Sequence, residues 1–163
     1  MKLTRGRQAL LLGLPLGLAV AGGLAFTQLS STSAGPPPVP DPGEGQHGVM
    51  LALEDRVVNL RLGGPFKYAK VAVTVELRPE SADFYALTGK PRADAEREAL
   101  AAKSPAVPLL LDAVGTVVSA ADPAALSTPE GRSALKRDLL EASRAILGEG
   151  EVLDVYFTDF VMQ

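Results

Sequence analysis

The sequence predicts an α+β protein: an N-terminal transmembrane helix, a Pro-rich tether, and one small domain with an antiparallel hairpin, packed helices and a C-terminal strand. Three observations carry this reading. An uncharged apolar run of spanning length lies near the N-terminus. Period-two alternation of apolar and polar residues recurs after residue 48 and again at the end of the chain, and between them apolar residues recur at helical spacing.

The run from Ala9 to Leu29 carries no charge and is mainly Leu, Ala, Gly and Val. That is the length needed to cross about 30 Å of hydrocarbon. Gly13, Pro15, Gly17, Gly22 and Gly23 would weaken a helix in water but are commoner in bilayer helices. Gly13 and Gly17 form a G-x-x-x-G spacing that permits close approach of another membrane helix, although such spacings also arise by chance in Gly-rich spans. Lys2, Arg5 and Arg7 precede the span and no acidic residue occurs before Asp41, so residues 1–8 are expected in the cytoplasm and everything after Leu29 outside it. A cleavable signal peptide is the competing reading, with Thr32-Ser33-Ala34 as a small-residue cleavage site; the length of the apolar run favours an uncleaved anchor.

Residues 30–48 are rich in Ser, Pro and Gly, with prolines at 36, 37, 38, 40 and 42, and are expected to form an extended linker. At about 3 Å per residue such a tether reaches up to roughly 50 Å from the bilayer. His47, the single histidine, falls at its end and is expected to be exposed. The chain has no cysteine, so the domain is held without disulfides. Its 163 residues carry 16 basic and 19 acidic side chains; three of the basic ones precede the span, leaving 13 against 19 beyond it, net −6. Nucleic acid is a poor partner for such a surface.

Residues 49–163 form the expected domain. Val49, Leu51, Leu53 and Val57 are spaced by even steps and predict a first strand to Leu60, with Val58 and Leu60 on its other face. Leu62-Gly63-Gly64-Pro65 supplies a turn. Ala69, Val71, Val73, Val75 and Leu77 then alternate with polar neighbours in a half-buried strand, which makes an antiparallel hairpin. Residues 79–103 turn polar; Pro79, Gly89 and Pro91 break them into a loop, and a helix is expected over Asp94 to Lys103. Val107, Leu110, Leu111, Val114 and Val118 predict a sheet-packed helix that ends at Asp122-Pro123. Thr128-Pro129-Glu130 begins another, with Thr128 as cap and Leu135, Leu139, Ala142 and Ile146 on its apolar face up to Gly148. Val152 to Val161 predicts a last strand, with Leu153, Val155 and Phe157 on one face and Tyr156, Thr158 and Phe160 on the other.

No constellation of catalytic residues emerges, so no catalytic, cofactor or metal residue is assigned and the chain is not expected to be an enzyme. With no Cys and one His in a tether, nucleophilic catalysis has no base–nucleophile pair. Asp154 and Asp159 are the least ordinary carboxylates, but five residues apart on a regular strand they point to opposite faces unless a bulge intervenes. Glu149, Glu151 and Asp154 lack the spacing of a calcium loop, and no glycine-rich phosphate loop joins a strand to a helix.

Three stretches together resemble the flagellar basal body-associated FliL family: Val57-Val58-Asn59-Leu60 with Tyr68-Ala69-Lys70-Val71; Thr128-Pro129-Glu130-Gly131-Arg132 with Leu135 and Leu139-Leu140-Glu141; and the block from Gly150 through Asp154-Val155-Tyr156-Phe157-Thr158-Asp159 to Gln163. Residues 79–103 are longer and more polar than that family's segment, and Arg144 stands where its members often carry Asn. The resemblance implies a stomatin-like periplasmic domain on a single-pass inner-membrane anchor. It also implies homo-oligomers around the stator units of the bacterial flagellum, supporting torque, motility and chemotaxis. Membrane lipid around the span and the basal body are the implied partners. The alternative from another class is an anchored domain that binds or senses a periplasmic ligand between its long helix and the sheet.

Overall fold

Strict alternation along Tyr68–Leu77 makes this stretch (β3) the central strand of a sheet, because every second side chain can be buried on one face. The computed structural model describes residues 39, 41–61 and 66–163. The predicted span at 9–29, its Gly13–Gly17 spacing and the turn at 62–65 lie outside the described residues. In β3, Ala69, Val71, Val73, Val75 and Leu77 are all buried. β1 (Val49–Ala52) and β2 (Arg56–Asn59) pair antiparallel with β3 along one edge, and β4 (Val152–Met162) pairs antiparallel along the other.

The first predicted strand is therefore two. Ala52 stands opposite Thr74 and Arg56 opposite Val71, so the outer strand inserts one residue more than its partner, while the Leu53 amide still donates to the Val73 carbonyl at 2.9 Å. An insertion of this kind reverses the side-chain parity beyond it. Val49, Leu51 and Leu53 face the core as expected, but past the bulge Val58 and Leu60 are buried and Val57 is 70% exposed, the reverse of an uninterrupted strand.

β4 carries two such insertions. Asp159 faces Ala72 but Phe157 faces Val73, leaving Thr158 extra; Asp154 faces Glu76 but Val152 faces Leu77, leaving Leu153 extra. The Thr158 bulge brings Phe160 to the core side beside Phe157, with ring centroids 5.2 Å apart, and Val152 takes the buried position expected of Leu153.

Three helices cover the core face of the sheet. In α2 (Val107–Ala120) the expected Leu110, Val114 and Val118 are buried. In α3 (Pro129–Leu147) Leu135 and Leu139 are buried, and the third inward position is Ser143 between the half-buried Ala142 and Ile146. Its hydroxyl donates to the Leu139 carbonyl at 2.7 Å, so the buried polar atom stays satisfied. Thr128 Oγ1 accepts from the Gly131 amide at 3.1 Å and Pro129 follows it, as the start signal requires. A Cβ at Gly131 would collide with the Ala125 carbonyl. Gly148, at φ +112°, ends the helix.

The polar stretch departs most from expectation. Residues 82–86 form a 3-10 turn, and α1 runs from Gly89 to Lys103, not from Asp94. Pro91 lies in the first turn of α1, where a missing N–H costs no intrahelical bond, so it starts the helix instead of breaking it. Lys90–Asp94, Arg92–Glu96 and Arg97–Asp94 ion pairs run along its surface, and no residue of α1 is buried. The run Gly89–Ala120 is long and apolar enough by length and composition to cross a bilayer, but its Leu110, Val114 and Val118 are spent on the domain core.

Candidate functional surface

Glu76 is the conspicuous charged residue of the sheet. It occupies an outward position of β3, yet only 3% of it is exposed, because the end of the Pro-rich stretch lies across it. Oε1 accepts from the Gly48 amide at 2.7 Å and has His47 Nδ1 at 3.4 Å; Oε2 accepts from the Tyr156 hydroxyl at 2.5 Å. A buried carboxylate requires such partners. The hydrogen bond to Glu76, reinforced by burial, holds the Tyr156 phenol far above its ordinary range. A Cβ at Gly48 would collide with the Leu77 carbonyl, so glycine is what lets the chain come this close.

Two arginines extend the attachment. Arg78 donates from Nη1 to the Val39 carbonyl at 2.7 Å, from Nη2 to Asp41 at 2.6 Å, and from Nε to the Gly150 carbonyl at 2.8 Å. Arg92 reaches back from α1 to the His47 carbonyl at 3.0 Å while its guanidinium lies 3.8 Å over the Phe84 ring. The last part of the stretch at 30–48 is thus bonded to the domain at three places, as a strap. The His47 side chain is exposed, as expected, with its Nδ1 beside Glu76.

The rest of that sheet face is open. Met50, Val57, Tyr68 and Val161, all more than a third exposed, project from it; Val57 and Val161 flank Lys70 from the two neighbouring strands, while Met50 lies toward the other end, opposite Glu76. Lys70 Nζ sits 3.0 Å from Asp55 and 3.3 Å from Asp159, and these two carboxylates, Asp55 foremost, raise its pKa. Lys136 reaches from α3 to Asp154 at 2.8 Å and lies 4.9 Å from the Tyr156 ring centroid.

Residues 50–163 match the sequence profile of the family described as flagellar basal body-associated protein FliL. The chain belongs to the FliL family. It is also similar to the flagellar protein FliL of Aquifex aeolicus (strain VF5), with 31% identity over 117 residues. That match covers 71% of this chain and 62% of the relative, so the chain spans less than two thirds of the relative's length.

In this FliL domain the bulge at Thr158 does put Asp154 and Asp159 on one face, where a regular strand would separate them. Each is nevertheless engaged by its own lysine, Asp154 by Lys136 and Asp159 by Lys70, and they do not converge on a shared site. Glu151 pairs with Lys103 at 2.7 Å, apart from Glu149 and Asp154. Among the described residues no group of three or more His, Cys, Asp or Glu side chains is placed to hold a metal ion. Glu76, Arg78, Arg92 and Tyr156, which build the strap's attachment, escape sequence reasoning. Outward charge on a half-buried strand is the ordinary pattern, and only the register shows that Tyr156 stands opposite Thr74, beside Glu76.

Proposed function

We propose that this FliL-family chain is an inner-membrane structural component of the flagellar basal body that supports the stator units, torque generation and motility, and is not an enzyme. In this reading residues 1–8 are cytoplasmic, 9–29 span the membrane, 30–48 link, and 49–163 form a periplasmic domain that self-associates beside the stators. The single observation that carries it is the family match over residues 50–163, which takes in the described sheet from Met50 onward and the three described helices. The strap supports the reading: a module that works by position benefits from a linker end fixed to its domain, and Arg78, Glu76 and Arg92 hold Val39, Gly48 and His47 against it. The ligand-sensing alternative needs an apolar cavity between α3 and the sheet, but Leu135, Leu139 and Val155 fill that contact at 2% exposure or less, and the cleft of about 420 Å³ at its edge is lined mostly by charged side chains, Asp41, Glu76, Arg78, Arg144 and Asp154.

The test is localisation in living cells, with a fluorescent protein that folds in the periplasm fused through a flexible spacer. The spacer matters because Gln163 exchanges backbone hydrogen bonds with Tyr68. Foci at flagellar bases that fade when the stator genes are deleted are expected. Uniform membrane fluorescence, together with normal swimming after deletion of this gene, would overturn the assignment.

A further inference from the structure

α1 packs on the core only through half-buried side chains, Ala95, Ala99 and Leu100. None of its residues is buried, and between it and the turn at 82–86 runs a groove of about 370 Å³. The floor is apolar, made by Val49, Phe84 and Leu87. The wall contributed by α1 is Ala95, Ala99 and Ala102, spaced four and three residues apart on one side of the helix. At 1.5 Å per residue this wall is about 10 Å long, or two helical turns. Small residues over that length let another backbone come close instead of filling the slot themselves.

The charges around the groove select the occupant. Elsewhere on α1 and next to it, carboxylates are paired within the molecule: Asp94 with Lys90 and Arg97, Glu96 with Arg92, Glu151 with Lys103. The three carboxylates on the groove's rim, Glu80, Asp83 and Glu98, have no ion-pair partner among the described residues, and all three are exposed. An apolar slot with an unmatched acidic rim complements a segment that is apolar along one stripe and cationic beside it. We propose that this groove is a docking site for a basic amphipathic helix of a partner protein. The helix lays its apolar stripe against Leu87, Ala95 and Ala99, with Lys or Arg side chains reaching Glu80, Asp83 and Glu98. This inference rests on the groove and its rim alone and is independent of the stator reading.

The experiment titrates the isotope-labelled full chain, in nanodiscs of zwitterionic lipid, with a synthetic helical peptide of Leu, Ala and Lys, against empty nanodiscs and a counterpart with Glu for every Lys. Saturable amide shifts confined to Leu87, Ala95, Ala99 and Ala102, seen with the Lys peptide and not the Glu peptide, are expected. The triple variant Glu80→Lys, Asp83→Lys, Glu98→Lys should bind about tenfold more weakly. Ala99→Phe, which fills the slot without touching the rim, should abolish the shifts while the rest of the spectrum stays in place. The proposal is overturned by equal binding of the Glu peptide, by undiminished binding to the rim triple variant, or by shifts that centre on Asp55 and Asp159. Shifts reproduced by lipid alone, or the absence of any saturable shift, overturn it too.

Discussion

Glu76→Gln tests the strap, because the substitution keeps the side chain's shape, removes its charge and turns one of its two acceptor oxygens into an NH2 donor. Glu76 is 3% exposed and accepts two hydrogen bonds, from the Gly48 amide at 2.7 Å and the Tyr156 hydroxyl at 2.5 Å. Charge-assisted bonds contribute roughly 1.5–3 kcal/mol and neutral ones about 1. With the Gln oxygen kept toward the Gly48 amide and its NH2 donating to the Tyr156 oxygen, whose hydroxyl turns away, both contacts become neutral bonds, so the variant should lose about 1 kcal/mol per bond and about 2 kcal/mol of global stability. Lifting the strap breaks the Gly48 bond but leaves the Tyr156 bond intact, so local opening should become easier by only about 1 kcal/mol. That is about fivefold faster hydrogen exchange at the Gly48 amide, since 1.36 kcal/mol is a factor of ten. Denaturant unfolding and residue-resolved exchange on the full chain read the two quantities separately. Global destabilisation with unchanged exchange at Gly48 would refute the reasoning, as it would mean that something other than Glu76 holds the strap.

The raised phenol of Tyr156 makes stability depend on alkali: a group whose pKa is higher folded than unfolded contributes fully below its unfolded value and loses that contribution as pH rises past about 10. Lys70 and Tyr85 are shifted in the same direction, so unfolding free energy should fall above that pH, and Tyr156→Phe should remove part of the fall in a pH series of denaturation curves. The bulge in the outer strand predicts that Val58→Ala costs about 2 kcal/mol while Val57→Asn changes stability by less than about 0.5, by denaturant titration; the opposite order would mean an unbroken strand. Thr128→Ala removes the acceptor for the Gly131 amide and should cost about 1 kcal/mol, with most of the loss recovered in Thr128→Ser.

The open sheet face and the α1 groove are chemically unlike surfaces on one domain. The first presents Val57, Tyr68 and Val161 near a Lys70 already neutralised by Asp55 and Asp159, with Met50 farther along the sheet. The second is rimmed by carboxylates that no described cation matches. A partner that contacts both must be apolar toward the sheet and basic toward the groove, which gives each surface its own substitutions and salt dependence: binding at the groove weakens with added salt, while contact at the neutralised sheet face does so much less.

By itself the sequence determined the parts whose cause is local. The alternation of β3, the inward Leu110, Val114, Val118, Leu135 and Leu139, the Thr128-Pro129 helix start and the Gly148 stop are each written within a few residues, and the C-terminal block pointed to the family that residues 50–163 match. Tertiary structure decided what depends on a partner strand or a distant residue. A single inserted residue at Leu53–Asp55 or at Thr158 flips every side chain beyond it, and no propensity in those stretches marks where the insertion falls, because pairing with β3 sets it. Likewise Arg78 meets Asp41 across 37 residues, Arg92 meets His47 across 45, and Tyr156 meets Glu76 across 80. Attachments made over such separations leave no periodic trace in the chain; they exist only once the sheet has brought the residues side by side.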